Sequence, residues 1–348
     1  MTHDIKSAVV LLPSYQPEKT LITLSRGLKD NGFQILVVDD GSGSDYDEIF
    51  NKCKQYATVV RYDKNKGKGY ALKTGFKYVL DNMKCDFVIT ADGDGQHIIQ
   101  DIIAMYEKSM LRRVTIIGER HFEVKTPIKS KLGNGLSRFT QTLCTYRYMR
   151  DNQCGLRSFP YSTLDKLIKI KGNRYEYEMN VLTYLMTKEI PYLTMRVKTI
   201  YEDNNWTTHF RPVKDTLLIQ KSILKCGLIN VLSIIIGIIS ASLLYYYAFN
   251  NLVANYELSI LVSTGITFMI HAGLNLIIYK PINPAKTIFR TALYEVLFLV
   301  SLLASTCLFC RLCNFEIYWA YLLCLVIMIV PIYYLFKGIG LVYSSQYE

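Results

Sequence analysis

The sequence predicts an α/β domain followed by an all-α domain of four transmembrane helices, and three observations support this prediction. In the first 120 residues, apolar runs of four to six residues alternate with amphipathic stretches, which is the pattern of a buried parallel sheet flanked by helices. From Gly227 onward, long apolar stretches follow one another. Charge is also uneven, because 35 of the 40 Lys and Arg residues and 25 of the 29 Asp and Glu residues precede residue 227.

The α/β pattern consists of nine segments. Strands are predicted at SAVVLLPSY, QILVVDDGS, TVVRYD, CDFVITADGD and VTIIGER. Helices are predicted between them at KTLITLSRGLKDNG, YDEIFNKCKQY, GYALKTGFKYVLDN and IIQDIIAMYEKSM. Ligands bind such sheets beyond the carboxyl ends of the strands, and polar groups cluster at those ends in PSY, DDGS, DGDGQ and GER. This clustering predicts an active site at that edge.

The apolar stretches predict a membrane domain, because each is near the ~20 residues that a helix needs to cross a bilayer. They are 227–249, 256–279, 288–310 and 317–336. Lysines and arginines concentrate before the first stretch, between the second and third, and after the fourth. By the positive-inside rule, both termini and the α/β domain are expected in the cytoplasm of a multi-pass membrane protein. A soluble all-helical core is the alternative, which four successive spans disfavour.

The predicted boundaries are 1–210 for the α/β domain, 211–226 for an amphipathic juxtamembrane segment and 227–348 for the membrane domain. The juxtamembrane segment mixes basic and apolar residues at helical spacing, so its cations are expected to face lipid phosphates. Residues 122–150 have a similar composition. For them, an interfacial segment and an ordinary surface helix both stay open.

Composition indicates the class of binding partner and the redox state of the cysteines. A charge of about +10 before residue 227 indicates an anionic partner, and nucleic acid is disfavoured because no Lys/Arg run or nucleic-acid motif is present. Nine scattered cysteines indicate reduced thiols. Cys307, Cys310 and Cys313, on an apolar helix, are better explained as buried thiols than as metal ligands.

The strongest local signal is the DGDGQ turn after the run FVITA. Its carboxylates, Asp92 and Asp94, are one residue apart and can face one divalent cation, Mg²⁺ or Mn²⁺. Such a cation would neutralise the charge that develops on a departing diphosphate. An ordinary acidic turn is the alternative for this motif taken alone.

Six motifs in order resemble family 2 glycosyltransferases of the dolichyl-phosphate mannose synthase and undecaprenyl-phosphate glycosyltransferase branch. They are VVLLPSYQPEKTL, ILVVDDGSGSD, NKGKGYALKTGF, ITADGDGQH, IIGER and RDNQCGLRSF. The four-span remainder resembles a GtrA-type membrane domain. The resemblance implies a GT-A (nucleotide-diphospho-sugar transferase) fold. It also implies inverting transfer of a sugar from a nucleotide-sugar, UDP in preference to GDP, to polyprenyl phosphate, expected to be undecaprenyl phosphate, for cell-envelope glycan modification or glycosylation.

The resemblance also implies which residues bind the nucleotide: Pro13, Tyr15, Glu18, Asp40, Lys68 and Asp92. Relatives often carry an acidic residue two positions after the tyrosine, where this sequence has Pro17, followed by Glu18. Asp40 would hold the nucleotide, with helix capping as the alternative. Lys68 suits a phosphate, with a solvated turn as the alternative.

The implied metal ligands are Asp92, Asp94 and Gln96, and the implied catalytic residues are Asp94, Arg120 and Asp151. Arg120 would stabilise the phosphates, with a surface salt bridge as the alternative. Asp151 is the candidate base. A phosphate monoester has a second pKa near ~6, however, so much of the acceptor is already dianionic and Asp151 would instead orient sugar and acceptor.

The residues implied to bind the sugar and acceptor are Gln153, Arg157, Arg138 and Glu176. Arg157 would pair with the lipid phosphate. Glu176 and Glu178 lie where relatives keep an acidic helix start below the sugar, and helix capping is the equally favoured alternative.

Two other functions stay open beside this one. A processive polysaccharide synthase would carry a QxxRW stretch after the DGD turn, and the sequence has none. A lipid-linked sugar transporter or scaffold would use the membrane domain, where His271, Asn275 and Glu295 are polar residues within spans. Oligomeric state also stays open, including a homo-oligomer.

Overall fold

A computed structural model describes residues 6–120, 149–188, 190–198 and 214–223, with residues 135, 137, 138, 140, 141, 211, 269 and 289. The predicted GtrA-like domain lies outside the described residues, apart from two isolated positions. The same holds for His271, Asn275, Glu295 and the Cys307–Cys313 group. Among the helices of the described residues, none is both long and apolar enough to cross a bilayer.

Between residues 8 and 120, strands and helices alternate, and all nine predicted segments are confirmed. The strands are Ala8–Ser14 (β1), Gln34–Asp39 (β2), Thr58–Arg61 (β3), Phe87–Thr90 (β4) and Thr115–Arg120 (β5). The helices are Thr20–Asp30 (α1), Asp47–Cys53 (α2), Lys68–Asn82 (α3) and Ile99–Arg112 (α4). A 3₁₀ turn at Ser44–Tyr46 precedes α2.

Further elements follow β5. Residues 135, 137, 138, 140 and 141 are helical and are called α5. After them come Arg157–Pro160 (β6), a 3₁₀ turn at Tyr161–Thr163, Leu164–Ile168 (α6), Glu176–Thr187 (α7) and Tyr192–Val197 (β7). Residues 214–223 (α8) are helical, within the segment predicted to be juxtamembrane.

The seven described strands form one sheet in the order β3-β2-β1-β4-β6-β5-β7. The five strands predicted before residue 121 run in one direction, as predicted, whereas β6, for which no strand was predicted, pairs antiparallel with β4 and β5. An antiparallel neighbour can be entered from the edge at which the preceding strand ended. The chain therefore leaves β5 at Arg120 and enters β6 at Arg157 on the same edge, which brings the DNQCGLR segment to the carboxyl ends of β1, β2 and β4.

Apolar side chains cover both faces of this sheet. Along β1, Ala8, Val10 and Leu12 pack on the face covered by α1, α2 and α4. Val9 and Leu11 pack on the other face, with α3, α6 and α7. Fully burying one such side chain contributes about 1.5–3 kcal/mol, so burial on both faces accounts for the continuous apolar runs. The α/β prediction is confirmed, and the mixed sheet is consistent with the GT-A fold.

Candidate active site

The carboxyl ends of β1, β2, β4 and β5 bring the predicted site segments together. The central contact is made by Lys68, whose Nζ lies 2.6 Å from Asp92 Oδ1 and 2.8 Å from Glu178 Oε2. Lys68 is the first residue of α3, Asp92 follows β4, and Glu178 lies in the first turn of α7. The two helices therefore fix an ammonium group against the DGD turn.

Attraction between opposite charges affects the pKa values of Lys68 and Asp92 more than burial does, although the side chains of Lys68, Asp92 and Glu178 are only 12–30% exposed. Burial alone would lower the pKa of Lys68, but attraction to Asp92 and Glu178 outweighs it and raises that pKa. Burial would raise the pKa of Asp92, but attraction to Lys68 and then His97 outweighs it and lowers that pKa. Lys68 and Asp92 are therefore both charged at neutral pH.

Asp94, the second carboxylate of the turn, has a different environment. Burial and then repulsion from Asp92 raise its pKa, and its Oδ1 accepts a hydrogen bond of 3.1 Å from the Gln96 amide. A divalent cation between the two carboxylates would relieve this repulsion, so Asp92 and Asp94 fit such an ion. The described residues contain no group of three His, Cys, Asp or Glu arranged as ligands, and Gln96 as a ligand stays a prediction.

Two residues that sequence reasoning did not single out contact Asp92. The buried His97 has its Nε2 3.7 Å from Asp92 Oδ2. Gly155 lies so close that a Cβ built on it would be 2.6 Å from Asp92 Oδ2. Thr90 holds Gly155 in place by donating a hydrogen bond of 2.9 Å to its carbonyl. The DNQCGLR segment therefore lies directly on the DGD turn. His97 belongs to the motif ITADGDGQH and Gly155 to the motif RDNQCGLRSF.

Arg120 and Asp151 form the second charged pair. Arg120 Nε donates to Asp151 Oδ2 at 2.7 Å, and Arg120 Nη2 donates to Oδ1 at 3.1 Å. The backbone amides of Arg120 and Gln153 also donate to this carboxylate. Burial would raise the pKa of Asp151, but Arg120 outweighs it and lowers that pKa. The partner of Arg120 is a fully buried carboxylate, not a surface group.

Helix α5 packs beside this pair. Gln153 Nε2 donates to Ser137 Oγ at 3.0 Å, and Asn152 Nδ2 donates to Gln141 Oε1 at 2.9 Å. Arg138 Nη1 donates to the carbonyl of Arg150 at 3.1 Å. The structure therefore brings Arg138 and Gln153, both predicted to bind sugar or acceptor, to the side of the site where Asp151 lies.

Arg157 is buried at the start of β6. Its side chain is 2% exposed, and its guanidinium donates to the carbonyls of Cys154, Glu178 and Asn152 at 2.9, 2.7 and 3.4 Å. These carbonyls hold the guanidinium inside the protein, and its contact with the lipid phosphate stays a prediction. Arg157 instead ties the DNQCGLR segment to α7.

Glu176 contacts the turn that precedes α7. Its Oε1 accepts hydrogen bonds from the amides of Asn173 and Arg174 at 3.0 and 3.2 Å, and its contact with the sugar stays a prediction. Glu178, two residues later, is the acid that points to Lys68. The sequence pattern placed both acids at a helix start but did not distinguish their directions.

Asp40 is buried beneath the loop that leads to α3. Its carboxylate accepts hydrogen bonds from Tyr62 Oη at 2.6 Å, Asn65 Nδ2 at 3.1 Å and the amides of Lys66 and Gly67 at 2.8 Å each. Burial and then Asp40 raise the pKa of Tyr62. Asp40 therefore fixes the 62–67 loop and, through it, the start of α3. Its direct contact with a nucleotide stays a prediction.

The remaining predicted nucleotide residues follow β1. Pro13 and Tyr15 are half-buried, whereas Glu18 is exposed just before α1. The Gln16 amide donates to Ser42 Oγ at 2.8 Å, which joins this loop to the turn after β2. The structure thus joins the residue after Tyr15 to the DDGS turn and leaves Glu18 facing solvent, and nucleotide binding by Pro13, Tyr15 and Glu18 stays a prediction.

Comparison with known proteins agrees with this geometry. The family model described as Glycosyl transferase family 2 matches residues 9–168. An uncharacterized protein of Methanocaldococcus jannaschii is 34% identical over 207 residues, covering 56% of this chain and 82% of that protein. A Methanococcus voltae protein named UDP-N-acetylglucosamine–dolichyl-phosphate N-acetylglucosaminyltransferase is 28% identical over 221 residues, covering 57% of this chain and 87% of that protein.

A bacterial relative is more distant. The undecaprenyl-phosphate 4-deoxy-4-formamido-L-arabinose transferase of Pectobacterium carotovorum is 25% identical over 169 residues, which cover 46% of this chain and 50% of that protein. The names of the Methanococcus voltae and Pectobacterium carotovorum proteins both describe a sugar transferase and a polyprenyl phosphate.

Proposed function

Because this chain belongs to glycosyl transferase family 2, we propose that it transfers a sugar from a UDP-sugar to a polyprenyl phosphate, with inversion at the sugar carbon. One observation carries the proposal. The DNQCGLR segment lies directly on the DGD turn, through the contact between Gly155 and Asp92. A diphosphate near Asp92 would therefore be adjacent to the groups that follow Asp151.

Positioning and charge account for most of the proposed catalysis. A phosphate oxygen of the acceptor attacks the sugar carbon while the bond to the nucleoside diphosphate breaks, so negative charge grows on the leaving group. Lys68 and Arg120 are held by carboxylates at this edge and supply positive charge beside the leaving diphosphate. A divalent cation held by Asp92 and Asp94 would supply further charge neutralisation when bound.

Asp151 is proposed to orient Arg120 and not to remove a proton. Its lone pairs accept hydrogen bonds from Arg120 and Gln153, and its pKa is lowered, so it is a weak base. The acceptor does not need one, because a phosphate monoester is largely dianionic at neutral pH.

A lipid acceptor agrees with the exposed face of α8. Ile219 and Ile223 pack against α7, whereas Lys214, Leu217 and Lys221 face outward, and Leu217 is 63% exposed. An outward leucine between two lysines suits lipid headgroups. This supports a site at the cytoplasmic face of a membrane, with the segment after residue 226 as the membrane domain.

Transfer assays with membranes that contain the full chain test the proposal. Undecaprenyl and dolichyl phosphate are offered with radiolabelled UDP- and GDP-sugars, with Mg²⁺ or Mn²⁺ or with chelator. The chain is compared with Asp94→Asn and with Asp165→Asn, which changes an exposed carboxylate of α6.

We expect label in an organic-soluble product with one donor, retained in Asp165→Asn and lost in Asp94→Asn. No transfer from any donor by the folded protein would overturn the proposal and favour a transporter or scaffold. Equal transfer by Asp94→Asn and Asp165→Asn would show that the reaction does not depend on the carboxylate of Asp94.

A further inference from the structure

Lys68 occupies a position that the proposed reaction does not by itself explain. Its ammonium lies 2.6 Å from the carboxylate of Asp92, one of the two groups that would hold a divalent cation. Asp92 is also approached by His97 Nε2 and by the backbone of Gly155. A cation that binds Asp92 must therefore share this carboxylate with Lys68 or displace it.

The ammonium has a second carboxylate available. Glu178 Oε2 lies 2.8 Å from Lys68 Nζ on the side of α7, and the ring of Tyr175 lies 5.9 Å from the same nitrogen. Lys68 can therefore leave Asp92 while it stays paired with Glu178, so it need not become an unpaired buried charge.

The backbone limits how far Lys68 can move. It directly follows Gly67, whose amide donates to Asp40 and whose φ of 102° places the loop in a conformation that favours glycine. The ammonium, Asp92, Glu178 and Asp94 together carry a net charge of −2 when all are ionised. That charge matches one divalent cation and leaves Lys68 inside the cluster when the cation is bound.

We propose that Lys68 is a positioning residue that holds Asp92 in the donor-free enzyme and competes with the divalent cation for that carboxylate. When a cation binds, Lys68 gives up its contact with Asp92 and keeps the one with Glu178, where its ammonium faces the diphosphate of the donor. The inference rests on the proposed function, because it assigns the same cation site. It differs from an ordinary structural ion pair in one respect, since removing Lys68 strengthens cation binding.

Mn²⁺ titration of the full chain without any donor tests this inference, with free Mn²⁺ measured by electron paramagnetic resonance. Lys68→Met is compared with the unaltered chain and with Lys73→Met. Lys73 lies on the same helix, and its ammonium donates to Asn173 Oδ1, away from Asp92. We expect Mn²⁺ to bind Lys68→Met about 10-fold more tightly and Lys73→Met without change. We also expect Mn²⁺ to raise the Tm of Lys68→Met more than that of the unaltered chain.

Equal or weaker Mn²⁺ binding by folded Lys68→Met would overturn the inference, as would no Mn²⁺ binding by either protein. If circular dichroism shows that Lys68→Met does not fold, Glu178→Gln decides. Without the carboxylate of Glu178, the ammonium of Lys68 stays on Asp92, so Glu178→Gln should bind Mn²⁺ about 10-fold more weakly than the unaltered chain. Unchanged Mn²⁺ binding would reject the competition between Lys68 and the cation. Transfer assays on the same preparations test the proposed reaction separately from the proposed role of Lys68. If Lys68→Met binds Mn²⁺ more tightly but no donor supports transfer, the proposed reaction is overturned and the competition between Lys68 and the cation stands.

Discussion

Arg120 and Asp151 are joined by two hydrogen bonds, from Nε to Oδ2 at 2.7 Å and from Nη2 to Oδ1 at 3.1 Å. The pair links the end of β5 to the segment that enters β6, and Asp151 is fully buried. Because the guanidinium fork fixes both carboxylate oxygens, each side chain determines the orientation of the other. The pair therefore presents a positive charge at the carboxyl edge and leaves Asp151 a weak base.

The first prediction concerns the pH dependence of transfer. Asp151→Asn should lower kcat about 100-fold, because Arg120 loses its orientation, without changing the shape of the pH profile. In both proteins the acid limb should lie near ~6, the second pKa of the acceptor phosphate. Rates measured between pH 5 and pH 9 check this. Loss of the acid limb in Asp151→Asn would instead identify Asp151 as the base.

The second prediction concerns stability at low pH. The pKa of Asp151 is lowered from its ordinary value of 3.8, so the ionised pair stabilises the fold above that value, and the stabilisation is lost as the pH falls through the lower, folded-state pKa. The free energy of unfolding should therefore fall more steeply below pH 3.8 in the unaltered chain than in Asp151→Asn. Urea unfolding at successive pH values measures this. Parallel curves would contradict it, and Asp165→Asn, at an exposed site, serves as the control.

The third prediction concerns the space beside Asp92. Alanine at position 155 would place its Cβ 2.6 Å from Asp92 Oδ2, so the carboxylate or the segment must shift. We expect Gly155→Ala to lower kcat/KM about 100-fold. Gly135→Ala, where a Cβ meets no atom of the described residues within 4 Å, is the matched control and should keep its activity. Circular dichroism of the same variants distinguishes a loss of kcat/KM from unfolding. Full activity in Gly155→Ala would show that the reaction does not depend on the close approach of residue 155 to Asp92.

The sequence predicted the first nine elements because local patterns specify them, for example the continuous apolar run of β1. It did not predict that β6 runs antiparallel, because Arg157–Pro160 is only four residues long and its direction depends on pairing with β4 and β5. The same limit applies to the site. The motifs identified Asp92 and Asp151, but the burial of Arg157 and the contact of Gly155 depend on which segments meet in space.

The fourth prediction concerns the loop that Asp40 fixes. Tyr62→Phe removes the hydroxyl that donates to Asp40 at 2.6 Å, which should lower stability by about 1 kcal/mol. It should also speed hydrogen exchange at the amides of Lys66 and Gly67, which donate to the same carboxylate. Tyr161→Phe is the control, because its hydroxyl donates to the carbonyl of Leu80 instead. Unchanged exchange at both amides in Tyr62→Phe would mean that Asp40 does not need this hydroxyl.

The last prediction distinguishes a structural role for Arg157 from phosphate binding. Arg157→Met leaves the carbonyls of Cys154, Glu178 and Asn152 without this donor, and each buried unsatisfied group costs about 1–3 kcal/mol. We expect the free energy of unfolding to fall by about 3 kcal/mol or more. Arg26→Met, at an exposed pair 3.9 Å from Asp30, should change it by less than about 1 kcal/mol.

Kinetics on the folded fraction complete this test. Because the Arg157 guanidinium is used by backbone carbonyls, the KM for polyprenyl phosphate should stay within about 2-fold in Arg157→Lys. Lysine keeps the charge but lacks the planar fork that reaches all three carbonyls, so the free energy of unfolding of Arg157→Lys should still fall. The opposite pattern, with normal stability and a KM for the lipid raised 10-fold or more, would identify Arg157 as a phosphate ligand.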